Sequence, residues 1–276
     1  MAIKNILVAF NGSESSEAAL RTAILMHQKH GCHVTGLLVH AGQREKLSTH
    51  SWVPESVRKT IAKKVREIEQ SFEAKFRDLV GDAVPADQLH WISLFGDSDA
   101  TVAKYARMYD LTIVGRYDAV DGRADLELHP EEIALKSGRP VFVIPRGHAP
   151  KRIRERAVVA WDGQRAATRA VTDAMQILES KQQVDVLSIE DGSVRPSLPG
   201  IDVATALTRH GINVKRVRRD PAGARVAADI LAYCEEVEAG MLVIGAYEHS
   251  VFRERLMGGS TQYILQHAKL PVLMSH

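Results

Sequence analysis

Gly258-Gly259-Ser260-Thr261 opens a helix-like stretch near the end of the chain. Upstream, the apolar run Met241-Leu242-Val243-Ile244 stops at Gly245; downstream, the chain closes on a second apolar run from Pro271 to Met274. A buried strand, a glycine and a helix opening on Gly-Gly-Ser-Thr suit an anion. The first N–H groups of a helix have no partner within it, and the helix dipole favours negative charge there. Glycine lets the backbone approach a ligand closely, and the two hydroxyls add donors. A phosphate is the chemistry this spacing fits.

The elements that must hold these residues recur along the chain. Val8-Ala9-Phe10-Asn11-Gly12 matches Val159-Ala160-Trp161-Asp162-Gly163, Thr112-Ile113-Val114-Gly115 matches Leu242-Val243-Ile244-Gly245, and Arg139-Pro140-Val141-Phe142-Val143 matches Leu270-Pro271-Val272-Leu273-Met274. The displacement between copies is shorter for the later features, so the first copy carries extra residues in its middle, about one helix in length. Apolar runs predict strands near 3–10, 33–40, 88–95, 110–115 and 140–145, then near 156–161, 184–190, 213–219, 241–245 and 271–275. Helical patterns fall near 14–30, 54–80, 98–108 and 130–137, then near 165–180, 200–210, 223–238 and 259–268. In the long helix, Val57, Ile61, Val65, Ile68 and Phe72 recur at helical spacing. Its stripe fits its own sheet, the other copy or a partner. Strands alternating with helices predict an α/β chain of two tandem open parallel five-stranded sheets with helices on both faces. The expected units are residues 1–146 and 156–276, joined by a linker over 147–155 that contains Gly147 and Pro150.

Composition narrows the class. The 276 residues are 45% hydrophobic and 25% charged, as in a soluble globular protein. The net charge of +2 does not argue for nucleic acid, and basic clusters such as Lys215 to Arg219 read as solvated faces. No apolar stretch reaches the ~20 residues of a membrane span. The N-terminus runs straight into a strand pattern and does not read as a signal peptide. Cys32 and Cys234 show no framework spacing, which fits a reducing cytoplasm.

With its duplicated strand–turn–helix pattern, Ala160-Trp161-Asp162-Gly163, the glycines after the fourth strand and the closing Pro-Val-Leu strand, the chain resembles the universal stress protein family in its tandem two-domain form. The resemblance spans about 3–146 and 156–276. It implies an adenine nucleotide alpha hydrolase-like fold arranged as an internal pseudo-dimer, with Val141–Ile144 and Val272–Met274 pairing across a pseudo-twofold. It also implies an adenine-nucleotide site in the second domain, for ATP or another adenine nucleotide, with or without Mg. Asp162 takes the position that lies against adenosine, beside Trp161, Leu187, Ser188 and Ile189. The phosphates would meet Gly245, Ala246, Tyr247, Gly258, Gly259, Ser260 and Thr261. The family signature Gly-x2-Gly-x9-Gly-Ser/Thr is kept at Gly245 and Gly258. It is broken at Glu248, and the hydroxyl position holds Gly259. A carboxylate ~4 Å from a phosphate charge is repelled by about 1 kcal/mol in water-like surroundings and about 4 at an effective dielectric of 20. Glu248 therefore predicts weakened binding or a less charged nucleotide, unless it turns to solvent, pairs with Arg253 or Arg255, or helps hold a bridging cation. In the first domain Asn11 replaces the acid, and Asp121, Asp125 and Glu127 lie where phosphates would sit. That copy reads as structural or as a site for a different ligand.

Three function classes stay open: a cytoplasmic binding or regulatory module of the stress response, a ligand-free scaffold, and a slow ATP hydrolase with Glu248 its only well-placed acid. Self-association of two chains also stays open. His27, His30, Cys32 and His33 have residue types that could bind zinc, though the chain reverses at Gly31. Histidines at a helix C-terminus also suit its dipole. His249-Ser250 lacks the third group of a nucleophilic triad. Trp52 and Trp91 read as packing residues, and His210, His267 and His276 as surface residues.

Overall fold

The computed structural model describes residues 3–40, 54–116, 126–192, 194, 200–223, 225–246 and 259–276. Within them the first half runs β1 (Asn5–Ala9), α1 (Glu14–His30), β2 (His33–His40), α2 (Glu55–Val80), β3 (Leu89–Phe95), α3 (Ser98–Ala106), β4 (Leu111–Gly115), α4 (Pro130–Ser137) and β5 (Val141–Ile144). The second half repeats the order with β6 (Arg156–Ala160), α5 (Arg165–Leu178), β7 (Gln183–Ile189), α6 (Val203–Arg209), β8 (Val214–Arg219), α7 (Val226–Glu236), β9 (Met241–Gly245), α8 (Gly259–His267) and β10 (Val272–Ser275). Each expected element forms, and a short 3₁₀ turn at Gly81–Ala83 is added after α2.

The strands make one ten-stranded sheet in the order β3-β2-β1-β4-β5-β10-β9-β6-β7-β8. Among the described residues pairing is parallel within each half and antiparallel only where β5 meets β10, with Val141 opposite Met274, Phe142 opposite Leu273 and Val143 opposite Val272. The two expected five-stranded sheets thus form and fuse through their closing strands. The reason is chemical: every residue of both closing strands is apolar or small and buried, and an unpaired apolar edge invites aggregation. The outer edge at β8 is protected differently. Its Arg216, Arg218 and Arg219 pair with Asp202, Glu190 and Glu236. The basic run read as a solvated face is therefore a charged sheet edge.

Alternation along the strands feeds two cores. Ile6, Val8 and Phe10 face α1 and α2, and in the second half Val159 and Val186 face α5. Leu7 and Ala9 face α3 and α4, while Leu187 and Leu242 face α7 and α8. Of the stripe on α2, Phe72 packs onto the first core, where Phe76 meets Trp91 with ring centroids 5.1 Å apart. Val57 and Ile68 stay exposed at 43% and 36%, so only the C-terminal part of the helix rests on its own sheet.

Gly115 and Gly245 end β4 and β9 under the first turns of α1 and α5. A Cβ on Gly115 would lie 2.5 Å from the Ser15 carbonyl carbon, and one on Gly245 would lie 2.5 Å from that of Ala166. Backbone cannot step aside as a side-chain tip can, so both positions need glycine for close helix packing. Gly115→Ala and Gly245→Ala are each expected to lose about 1–3 kcal/mol of stability, as overpacked cores do. Urea unfolding monitored by circular dichroism measures this; an unchanged midpoint would show that the helix can retreat freely.

Candidate functional site

The turn after the first strand of each half has the same geometry. Gly12 and Gly163 sit at φ +76° and +77°. Ser13 N donates to Asn11 Oδ1 at 3.1 Å, and Gln164 N donates to Asp162 Oδ1 at 2.9 Å. Positions 11 and 162 therefore form an Asx turn that launches α1 or α5 before they do anything else. A carboxylate and an amide both satisfy this turn, because only an acceptor is needed.

The surroundings of the two turns differ. In the first half Asn11 is only 7% exposed, and its Nδ2 donates to Leu126 O at 2.9 Å. Leu126 and Leu128 are themselves buried, and Asp99 ties down the next residue, His129, through its N–H and ring. From the other side Phe72 of α2 lies over Gly12, and Lys75 Nζ donates to Gly12 O at 3.0 Å while pairing with Glu17. The first-half turn is thus covered by its own chain. The coverage selects asparagine, since a carboxylate would place its oxygen against the Leu126 carbonyl with no proton between them.

In the second half Asp162 is partly exposed, and it accepts from the N–H and, at 3.5 Å, from the side-chain amide of Gln164. Trp161 is half-buried against the first core, and its N–H donates to Leu187 O at 2.8 Å. Ser188 Oγ donates to Trp161 O at 2.8 Å, which joins the ends of β6 and β7. Leu187 and Ile189 are buried strand residues at 1% and 4% exposure. Since β6 lies between β7 and β9, Trp161, Asp162, Leu187, Ile189, Gly245 and Ala246 gather at the carboxyl ends of three neighbouring parallel strands. A helix that leads into the start of β10 runs back along the sheet, so the α8 N-terminus with Gly259, Ser260 and Thr261 returns to that same end. Gly259 and Ser260 are exposed, and Thr261 is buried. Tyr247, Glu248 and Gly258 lie outside the described residues, as do His249, Ser250 and Trp52.

Two details went unread in the sequence. The Ala246 N–H, an expected phosphate donor, donates instead to Ser275 O at 2.8 Å, and the Ala246 carbonyl meets His276 Nδ1 at 2.7 Å. His276 is therefore tied to the end of β9, unlike a free surface residue. The α1 N-terminus is capped by Ser13 Oγ, which accepts from Ser16 N, whereas Gln164 makes no side-chain cap for α5. A serine in one copy opposite a glutamine in the other was the available signal.

The histidine cluster at the end of α1 disperses. His27 Nδ1 is 2.7 Å from the Cys32 carbonyl, and His33 stacks on His90 with Nδ1 3.1 Å from its Nε2. Cys32 is buried, and burial pushes its thiol up to about 11. Burial likewise pushes Cys234 up to about 12, far from a ready thiolate.

Known proteins point one way. A model of the "Universal stress protein family" matches residues 2–144 and again 154–276. A universal stress protein from Archaeoglobus fulgidus DSM 4304 is similar over 98% of this chain and 95% of its own, with TM-score 0.68 and 16% identity. A functionally unknown protein from Pseudomonas aeruginosa PAO1 is similar over 99% and 92%, with TM-score 0.57 and 15% identity. Those identities speak for the fold alone. No curated protein matches the chain, and no helix among the described residues is long and apolar enough to cross a membrane.

The contrast between the two turns yields a paired expectation. Asn11→Asp should lose about 1–3 kcal/mol near neutral pH by leaving a buried acceptor facing another acceptor. Asp162→Asn keeps its turn and should stay within about 0.5 kcal/mol of the parent. Parallel urea titrations read both values; equal losses would mean that the two turns share one environment.

Proposed function

The chain belongs to the universal stress protein family, and from that premise we propose that it is a cytoplasmic binding module of the stress response that holds an adenine nucleotide in its second half. The observation that carries this reading is the asymmetry of the two turns. Asn11 is sealed beneath Leu126, while Asp162 keeps a partly exposed carboxylate at the carboxyl ends of β6, β7 and β9. That end of an open parallel sheet is where ligands characteristically bind. Asp162 would accept from the ribose hydroxyls, and the purine would lie by Trp161 and the end of β7. The N–H groups opening α8 at Gly259, Ser260 and Thr261 would meet phosphate, beside the start of α5, where Gln164 makes no side-chain cap. Glu248 weighs against the most charged nucleotides, so AMP or ADP would be preferred over free ATP, and magnesium would narrow that difference by neutralising phosphate charge. In this reading the first half serves as a structural partner whose own site is filled by its chain.

Calorimetric titration with ATP, ADP and AMP, each with and without magnesium, tests the proposal. Asp162→Ala should weaken binding about tenfold or more, the loss of one charge-assisted hydrogen bond. Glu248→Gly should strengthen ATP binding relative to AMP. Absence of heat with every nucleotide up to ~1 mM, a binding energy of only about 4 kcal/mol, would leave the scaffold as the function. Phosphate release above background that disappears in Glu248→Gln would make the protein a hydrolase.

A further inference from the structure

A cavity of about 220 Å³ lies between the C-terminal halves of α1 and α5, beneath the segment that joins the two halves. Its walls include Met241 and Pro271 at the amino ends of β9 and β10, the opposite end of the second half from Asp162 and Gly245. Met26, Phe142 and Ile177 supply an apolar floor. The ionisable lining carries one sign of charge: Arg152, Arg154, Lys181 and Lys269 line it together with His148, Lys269 being paired with Glu235 at 3.0 Å, and among the described residues no Asp or Glu lines it.

Lys181 is the unusual member. It is only 9% exposed, and its Nζ donates to the Arg154 carbonyl at 2.7 Å. Among the described residues no carboxylate forms an ion pair with it. Glu155 is engaged by Lys29, whose Nζ reaches its two oxygens at 2.9 and 2.7 Å. Desolvation pulls the Lys181 ammonium down to about 8, with Glu155 opposing and Lys29 adding to the shift, so it still carries its charge at neutral pH. Burying a cation against a carbonyl alone is unfavourable unless a counter-charge arrives. The roof is fixed in advance. Gly240 N donates to Arg156 O at 2.8 Å, and a Cβ on Gly240 would lie 2.5 Å from Arg154 Cβ, so the joining segment is seated tightly where it crosses the cavity. Arg152, on the exposed rim, has no ion pair among the described residues.

We propose that this cavity binds a small organic anion with an apolar body, an aliphatic or aryl monocarboxylate, whose carboxylate pairs with Lys181 and Arg152 while its body lies on Met26, Phe142 and Ile177. The size argues against a nucleotide, because cavities for ligands of that scale run from about 300 Å³ upward. The apolar floor argues against inorganic phosphate, which would leave that surface uncovered. The site is separate from the nucleotide reading and stands or falls independently of it.

Isothermal titration of the full chain with octanoate and with benzoate tests the site, with octanol, octylamine and inorganic phosphate as controls. The expected result is saturable one-to-one binding of at least one carboxylate and none of the controls. Lys181→Met and Arg152→Gln should each weaken it about tenfold or more, equivalent to at least 1.4 kcal/mol. Leu25→Trp, which fills the cavity from its rim and leaves every cation in place, should abolish it. If Lys181→Met fails to fold, as a thermal melt would reveal, the other two variants decide. No saturable binding of either carboxylate up to ~10 mM, roughly 3 kcal/mol of binding energy, would overturn the proposal. So would equal binding of octanol, or affinity unchanged by the folded variants.

Discussion

Eight residues in two short strands hold the molecule's two halves in one sheet. β5 and β10 contribute four each, all of them buried, and among the described residues their antiparallel seam is the one place where the strand direction reverses. Without it each half would expose an apolar edge with unpaired N–H and C=O groups. With it the sheet continues from β3 to β8, and the cores on both faces run through the junction. Lys29 of the first half also bonds Glu155 and the Ser180 carbonyl, and Arg116 bonds the Gln266 carbonyl, so polar contacts brace the same join. The seam sets α1 beside α5 on one face. The cavity under the joining segment exists because two helix ends and two strand starts from different halves are held there together.

Duplication supplied two copies of one turn, and their neighbours gave them different uses. The Asx turn at Asn11 and at Asp162 asks only for an acceptor oxygen. The second polar atom of the side chain sets the difference between them. An amide nitrogen can donate to the Leu126 carbonyl and be buried, whereas a carboxylate oxygen must meet a donor or remain near solvent. Residue type at one position and chain path at another are thus coupled through a single proton.

The same logic applies to the glycines that end β4 and β9. The pattern suggested a phosphate loop at Gly245, yet Gly115 occupies the same packing position in the half that lacks Gly-Gly-Ser-Thr. Close approach of helix to strand accounts for both. The histidines at the end of α1 are a comparable case. His27, His30, Cys32 and His33 are near in sequence, but the reversal at Gly31, φ +62°, turns His27 inward to a carbonyl and leaves His33 stacked on His90 from the neighbouring strand.

By itself the sequence determined the alternation of strands and helices, the internal repeat and the parallel pairing within each half, because period-two and period-3.6 apolar patterns and repeated turn residues are local properties; the family followed from the resemblance of its turn, glycine and closing-strand motifs. Local pattern also marked Asp162 and the Gly-Gly-Ser-Thr helix start as residues able to meet a nucleotide. Tertiary structure fixed the register in which the closing strands, whose pairing the resemblance implied, fuse two sheets into one. It also decided that Leu126 and Phe72 cover the first turn, that Ser275 takes the Ala246 N–H, and that Lys181 is buried beside an apolar cavity without a carboxylate partner among the described residues. Each of those outcomes depends on groups brought together from distant positions in the chain, where burial and hydrogen-bond partners are set by packing, not by neighbouring residues.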